Sequence, residues 1–334
     1  MIVDSNGYFY EINNSAYLNS YKSNCFCCMP PEDAVCGATN LSYRQALMAT
    51  IGEGFERKVL FKSYPIITNG YHVWDLIENK EKLLPEFSDL ALYFYDTCGL
   101  SSHRNSSSCL FNSLSEFIER QSLILTYLAK ISTPEIVHDS TFNLEMPAFL
   151  RNIHVYNISI LKSFKVYLGL GYVDYDYFAI GIGSGNSTIM ALNNLVRELL
   201  PLRKVKLNKS NKTISNSSDY QDIFNLLDSN TVMNAYSFLS KSNLKETLHM
   251  DCHFRYKDIL NEMVNKWDMH PYAISFLDSK YQYSRCANAK NCKVFDLKYF
   301  PSLSVRHFTK SIYDNVEKKT GLVLDRDINF IPFP

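Results

Sequence analysis

The chain has 334 residues, 46% of them hydrophobic and 14% aromatic, which excludes disorder as its default state and suits one large or two ordinary domains. Lys plus Arg and Asp plus Glu both number 34, so no net basic field draws the protein to nucleic acid or to an anionic membrane surface. The N-terminus lacks a basic region followed by an apolar one, and no unbroken apolar run approaches the roughly 18 residues of a membrane span. These features predict a soluble, cytoplasmic protein. Nine cysteines, an odd number that includes the cluster Cys25-Phe26-Cys27-Cys28, argue against a disulfide framework and for reduced thiols.

Residues 1–40 mix aromatic and polar positions around Pro30-Pro31 and read as a lead-in segment, a short strand followed by loop. From Ser42 to about Leu60, Leu47, Ile51, Phe55 and Val59 recur at every fourth position and predict a helix with one core-facing stripe. Glu53 and Glu56 lie off that stripe. A second helix, roughly Ser108 to Ile131, repeats the arrangement with Leu110, Leu114 and Ile118, and Pro134 follows its end. Val166–Val173 and Tyr177–Gly183 read as a hairpin, with the glycines forming a turn into a third helix, Ser187 to about Leu200, capped by Asn186 or Ser187. In this helix Leu192, Val196 and Leu200 stand to Glu198 as Leu47, Ile51 and Phe55 stand to Glu53. Asn112 and Asn194 each precede a glutamate, Glu116 and Glu198, by one helical turn.

Lys204 to Tyr220 is rich in Lys, Asn and Ser and reads as a mobile loop. Further strands are expected at Tyr272–Leu277 and Val294–Tyr299. The mixture of elements predicts an α+β fold. The end, Phe330-Ile331-Pro332-Phe333-Pro334, is apolar up to its last residue, whereas most termini are polar and fray.

Glu53-Gly54-Phe55-Glu56-Arg57 and Glu116-Phe117-Ile118-Glu119-Arg120 carry one Glu-x-x-Glu-Arg pattern twice. Residues i and i+3 share a helical face, so each copy aims two carboxylates the same way with an arginine beside the second. A single copy is explained by a solvated helix face. Two copies at constant offset, with a third related helix, instead suggest carboxylates gathered for magnesium and a nucleotide triphosphate. A di-iron site would want Glu-x-x-His, and a Walker loop is absent. Gly181-Ile182-Gly183-Ser184-Gly185-Asn186 misses the third glycine of a dinucleotide fingerprint. His249, Cys252 and His253 have the spacing of a helical zinc pair without the glutamate of a metalloprotease, and Cys25, Cys27, Cys28 and Cys36 have irregular zinc-knuckle spacing. Whether either group binds zinc stays open.

Taken in order, three motifs resemble those of the YcaO family: Ala49-Thr50-Ile51-Gly52-Glu53-Gly54-Phe55-Glu56-Arg57, then Thr97-Cys98-Gly99-Leu100 with Asn112 through Gln121, then Ala191 through Glu198 to Arg203. The Pro-Phe-Pro end adds to the likeness. The resemblance implies a single YcaO domain over residues 1–334, with mixed sheets and glutamate-bearing helices around an ATP and Mg2+ site. It implies metal ligation by Glu53, Glu56, Glu116 and Glu119, and ATP binding by Arg57, Asn112, Arg120, Glu198 and Arg203. The Pro334 carboxylate is implied as a base.

The implied activity is ATP-dependent activation of peptide backbone amides, which forms thiazoline or oxazoline rings from Cys, Ser or Thr of a ribosomally made precursor peptide. Implied partners are a separate ThiF-type subunit, related to ubiquitin-activating enzymes, that recognises the leader peptide, and a flavin-dependent dehydrogenase. Thioamide or amidine formation is the alternative within the family. Ala49, Gln121 and Pro201 depart from the usual pattern, which leaves a non-catalytic scaffold subunit as a reading of another class.

Overall fold

The computed structural model describes residues 2–3, 9–17, 21–29, 36–40, 43–62, 71–84, 92–137, 150–174, 177–199, 203–204, 220–225, 227–242, 244–248, 253–275 and 290–334. In chain order, β1 (Ile2–Val3), β2 (Phe9–Tyr17), β3 (Tyr21–Met29) and β4 (Cys36–Asn40) precede α1 (Tyr43–Lys62). The strands β5 (Tyr71–Asp75), β6 (Lys80–Leu84) and β7 (Leu100–His103) lead to α2 (Ser106–Leu128). Next come β8 (Glu135–Val137), β9 (Arg151–Asn157), β10 (Lys165–Asp174), β11 (Tyr177–Gly185), α3 (Thr188–Leu199) and β12 (Arg203–Lys204). The remainder comprises α4 (Tyr220–Asn225), α5 (Ser229–Ala235), β13 (Lys245–Thr247), α6 (Tyr256–Trp267), β14 (Tyr272–Ser275), β15 (Lys290–Phe295) and α7 (Lys310–Thr320).

The strands form three sheets: β1-β2-β3-β4, β12-β11-β10-β9-β8-β13 and β6-β5-β14-β15-β7. The pairings are antiparallel except β8 with β13. This is the α+β arrangement expected, and the three glutamate-bearing helices stand within one or two residues of their expected starts.

Helix α2 runs between the six-stranded and five-stranded sheets, touching β7 and β15 on one side and β10 and β11 on the other. Its start is set by Asn105, whose side chain accepts from the Ser107 and Ser108 amides. From Gln121 to Leu128 every residue is buried, so the second half of α2 is a core helix without a polar face. Gln121 satisfies both ends of its amide there: Nε2 donates to the Phe300 carbonyl at 2.8 Å and Oε1 accepts from the Phe300 amide at 3.2 Å. A carboxylate could only accept, so the residue that departs from the family pattern clamps the segment leading to the C-terminus.

The six-stranded sheet sorts its side chains by the period of two. Val166, Leu168 and Leu170 of β10 and Phe178, Ile180 and Ile182 of β11 enter the core that includes α2. The opposite face carries Gly169, Gly181 and Gly183, and α3 lies directly on them. A Cβ on Gly183 would stand 2.1 Å from the Leu195 amide nitrogen, and one on Gly181 would meet Glu198 Cβ at 2.9 Å. These glycines trim the expected hairpin for a helix to rest on, and β11 runs on to Gly185, two residues beyond its expected end. Ser187 caps α3, its Oγ accepting from the Met190 amide at 3.3 Å.

Two other expectations are corrected. Residues 1–40 contain a four-stranded antiparallel sheet rather than one strand and a loop, and β4 and β3 pack against α1. Their polar residues, Asn13, Asn14, Asn24 and Ser23, hide the strands from a hydrophobic-periodicity reading. The last expected strand ends at Phe295, because the buried Asp296 accepts from the Lys298 and His270 amides and turns the chain. The bulk of the expected loop, residues 205–219, lies outside the described residues, as do Pro201, His249 and Cys252. So do the side chains of Arg57, Arg203, Cys25, Cys27, Cys28 and Cys36.

Candidate active site

The part of α2 just before its core stretch carries Glu116, Glu119 and Arg120. Arg120 Nη2 lies 3.7 Å from Glu116 Oε1, and Nη1 lies 3.8 Å from Glu119 Oε1. Those separations are within Coulombic range and beyond hydrogen-bond length. Arg120 Nε and Nη1 are buried and have no acceptor among the described residues. Buried donors left unmade cost on the order of 1–3 kcal/mol each, more on a charged group, so this guanidinium is built to receive acceptors from elsewhere. Its flat face rests on the Phe333 ring, with the guanidinium carbon 4.9 Å from the centroid.

The β11–α3 unit closes one side. Ser184 Oγ donates to Glu119 Oε2 at 2.8 Å, and Asn194 Nδ2 donates to the Ser184 carbonyl at 2.9 Å. Glu198, held over Gly181, is near enough that its charge raises the pKa of both Glu119 and Arg120. Burial pushes the Glu116 carboxyl up to about 8, against the opposing pull of Arg120, with Glu119 adding repulsion. Burial likewise pushes Glu119 up to about 7, with Glu198 adding repulsion. A pocket that makes carboxylates this uncomfortable is one that a cation would relieve.

Glu56 is held on the neighbouring wall, where its Oε1 accepts from the Ser102 amide at 2.7 Å and faces the first turn of α2 near Cys109. Glu53 is half-buried on α1, and Asn112 is exposed on α2. Among the described residues no three His, Cys, Asp or Glu side chains stand close enough to hold a metal by themselves. The structure thus gathers Glu116, Glu119, Arg120 and Glu198 and holds Glu56 separately on β7. Magnesium commonly takes one or two carboxylates and completes its shell with water and phosphate oxygens, which is what such a wall offers.

A cavity of about 520 Å³ opens beside Arg120, lined also by Asp96, Cys98, Tyr220, His307 and Pro334. The tail reaches it in a fixed path. Tyr220 donates to the Ile331 carbonyl at 2.6 Å, Tyr236 donates to the Pro332 carbonyl at 3.2 Å, and Ile331 through Phe333 are buried. On the far side Lys293, fully buried in β15, donates to the Asp96 and Cys98 carbonyls at 2.9 and 2.6 Å. The turn it holds needs Gly99 at φ +71°, where a Cβ would strike the Val294 carbonyl oxygen. Burial raises the Cys98 and Cys109 thiols, Cys109 to about 11, so neither is a ready nucleophile.

Ser184, Lys293, Asp96, Tyr220 and Tyr236 are neighbours of the candidate residues that the sequence reading missed. The alternation Asn291-Cys292-Lys293-Val294 looks like an ordinary half-exposed strand, and only the pairing of β15 between β14 and β7 buries its lysine. Of the candidate zinc groups, His253 is described: it is exposed and its Nδ1 lies 3.3 Å from Asn186 Oδ1.

One consequence concerns pH. Carboxyls raised on folding stabilise the protein below their unfolded pKa, and that stability is lost as pH rises through about 7 to 8. The metal-free protein is therefore expected to lose Tm between about pH 5 and 8, while the stabilisation conferred by Mg2+ with a non-hydrolysable nucleotide grows over the same range. Thermal melts with and without the ligands across this range measure both slopes; a ligand-induced shift independent of pH would remove Glu116 and Glu119 from the cation site.

The sequence model of a family described as YcaO cyclodehydratase, ATP- and Mg2+-binding, matches residues 67–280. Comparison with curated proteins gives no match. Among solved structures, a chain of the E. coli microcin synthetase McbBCD complex aligns with a TM-score of 0.65 at 18% identity, over 97% of this chain and 96% of that one. YcaO from Methanopyrus kandleri, bound with AMPPCP and Mg2+, aligns at 0.61 and 11% identity, over 86% of this chain and 84% of that one. A heterocyclase in complex with substrate and cofactor aligns at 0.66 and 13% identity, over 97% of this chain and 54% of the longer one. Among the described residues no helix is long and apolar enough to cross a membrane. With the family match spanning well over half of the sequence, the chain belongs to the YcaO family of ATP- and Mg2+-binding cyclodehydratases.

Proposed function

We propose that this protein activates backbone amides of a ribosomally made precursor peptide with ATP and closes azoline rings on them. The observation that carries the reading is Arg120: two buried N–H groups, without an acceptor among the described residues, belong to a guanidinium that has paired carboxylates beside it and lines the cavity that Pro334 also lines. A site that only bound nucleotide would not need the tail beside its phosphate-binding arginine.

Glu116 and Glu119, with Glu53 and Glu56 of α1, are the proposed ligands of Mg2+. The nucleotide is assigned to Arg57, Asn112, Arg120, Glu198 and Arg203. When bound, ATP would supply the phosphoryl group that the amide oxygen accepts, and Mg2+ would neutralise the charge that develops during its transfer. The chain's own residues do the rest. Arg120 donates to acceptor oxygens, Ser184 orients Glu119, and the Tyr220 and Tyr236 bonds hold the tail so that the Pro334 carboxylate can accept a proton.

A ThiF-type subunit that delivers the leader peptide, and a flavin-dependent dehydrogenase acting on the ring, are the proposed partners; residues 1–334 act as one domain. The reading is tested by mass spectrometry of a precursor peptide incubated with ATP, Mg2+ and the assembled complex. Loss of one water per ring is expected. Exchange of oxygen for sulfur would move the assignment to thioamidation, and absence of Mg2+-dependent ATP binding would make the chain a scaffold.

A further inference from the structure

We propose that His307 is a second proton acceptor in the cavity and takes the proton of the attacking thiol or hydroxyl; the inference rests on the ring-forming reading above. His307 ends the short turn Val305–His307 and lines the same cavity as Arg120, Cys98 and Pro334. Two contacts fix its ring. It stacks on Tyr95, with centroids 4.9 Å apart and planes at 20°, and its Nδ1 lies 2.9 Å from Oγ of the buried Ser302. Among the described residues Nε2 has no partner, so the second nitrogen is left for a group in the cavity.

The titratable and charged residues that line the cavity with His307 are Tyr95, Asp96 and Cys98 from the segment before β7, Arg120 from α2, Tyr220, the adjacent Arg306 and Pro334. Burial lowers the His307 pKa below its ordinary value; Asp96 opposes this and Arg306 adds to it. The ring is therefore neutral at pH 7 and can accept a proton.

The reaction removes two protons from the peptide, at two different steps. The sulfur or oxygen nucleophile bonds to the amide carbon while the carbonyl π electrons move to oxygen, and its S–H or O–H proton leaves. That oxygen then bonds to the γ-phosphorus as the bond to ADP breaks. Finally the C–O bond breaks with its electron pair going to phosphate, the nitrogen lone pair closes the C=N bond, and the N–H proton leaves. The products are azoline, ADP and inorganic phosphate; of the two protons that leave the peptide, one ends on the phosphate and the other in solvent. A thiol titrates near 8.5, an imidazole near 6.5 and a terminal carboxylate at roughly 3.5, so the imidazole is the better match for the first proton. The second comes from a cationic ring nitrogen, a far stronger acid, and suits the carboxylate.

The test uses His307→Gln and His307→Ala in the assembled complex, with a synthetic precursor peptide containing one internal cysteine and saturating ATP and Mg2+. ATP binding is expected to match wild type, while kcat for water loss falls by about 10²- to 10⁴-fold with little change in KM for the peptide. The acid limb of the pH profile should disappear, and added imidazole should restore part of the rate of the alanine protein. A rate within about threefold of wild type in either variant overturns the role of His307. So does a fall in rate with the acid limb intact and no rescue by imidazole. A wild-type complex that closes no ring overturns the ring-forming reading itself, a result separable from an active wild type with an equally active His307→Gln protein.

Discussion

Glu116→Gln is expected to leave the metal-free protein as stable as wild type or more so, and to reduce Mg2+-dependent ATP hydrolysis by about 10²- to 10³-fold. The two effects have opposite signs for one reason. In the folded chain burial holds the Glu116 carboxyl up to about 8, so at pH 7 it is mostly protonated and an amide of the same shape replaces it with little loss. With magnesium present the same position must be a carboxylate, because a hard cation takes charged oxygen ligands, and the amide cannot supply the charge. A residue that served only to pair with Arg120 would behave differently. Its removal would leave a buried guanidinium with one counter-charge fewer, and Tm would fall. Thermal melts without ligand, together with hydrolysis rates, therefore separate the two roles: a destabilised variant with near-normal turnover would assign Glu116 to structure.

The helices that carry this site were legible because each repeats an apolar stripe at helical spacing, and the β10–β11 hairpin because its apolar residues alternate. What could not be read locally is set by contacts between distant positions. Lys293 belongs to the site because it spans to Asp96 and Cys98, and Gln121 because it clamps Phe300. Nothing in the neighbouring residues signals either contact. Gly181 and Gly183 fall inside the strand the alternation predicts, but their purpose is not local: the fold uses them to seat α3 so that Glu198 stands over the strand and Asn194 reaches Ser184. The repeated Glu-x-x-Glu-Arg puts Glu116 and Glu119 beside Arg120 and places Glu56 near β7. The spatial grouping is nevertheless asymmetric, with Glu116 and Glu119 around Arg120 and Glu56 tied to the Ser102 amide, an arrangement that the equal spacing of the two copies does not foreshadow.

Converting the Pro334 carboxylate to an amide, by ligating a synthetic C-terminal peptide, is expected to lower ring formation by about 10²- to 10⁴-fold while leaving ATP binding and Tm unchanged. The tail is anchored upstream of its last residue. Tyr220 and Tyr236 hold the Ile331 and Pro332 carbonyls, and Phe333 is buried beneath Arg120, so amidation removes a charge and leaves the packing in place. Adding two residues after Pro334 should have the same kinetic effect by another route. Each residue spans up to about 3.3–3.6 Å, so the carboxylate is carried away from its place and extra atoms enter a cavity of about 520 Å³. Loss of activity in the extended protein alone would mean that blocked volume is responsible. Loss in both assigns the effect to the carboxylate, and an amidated protein that closes rings at the wild-type rate takes Pro334 out of the proton transfers and leaves them to His307 and water.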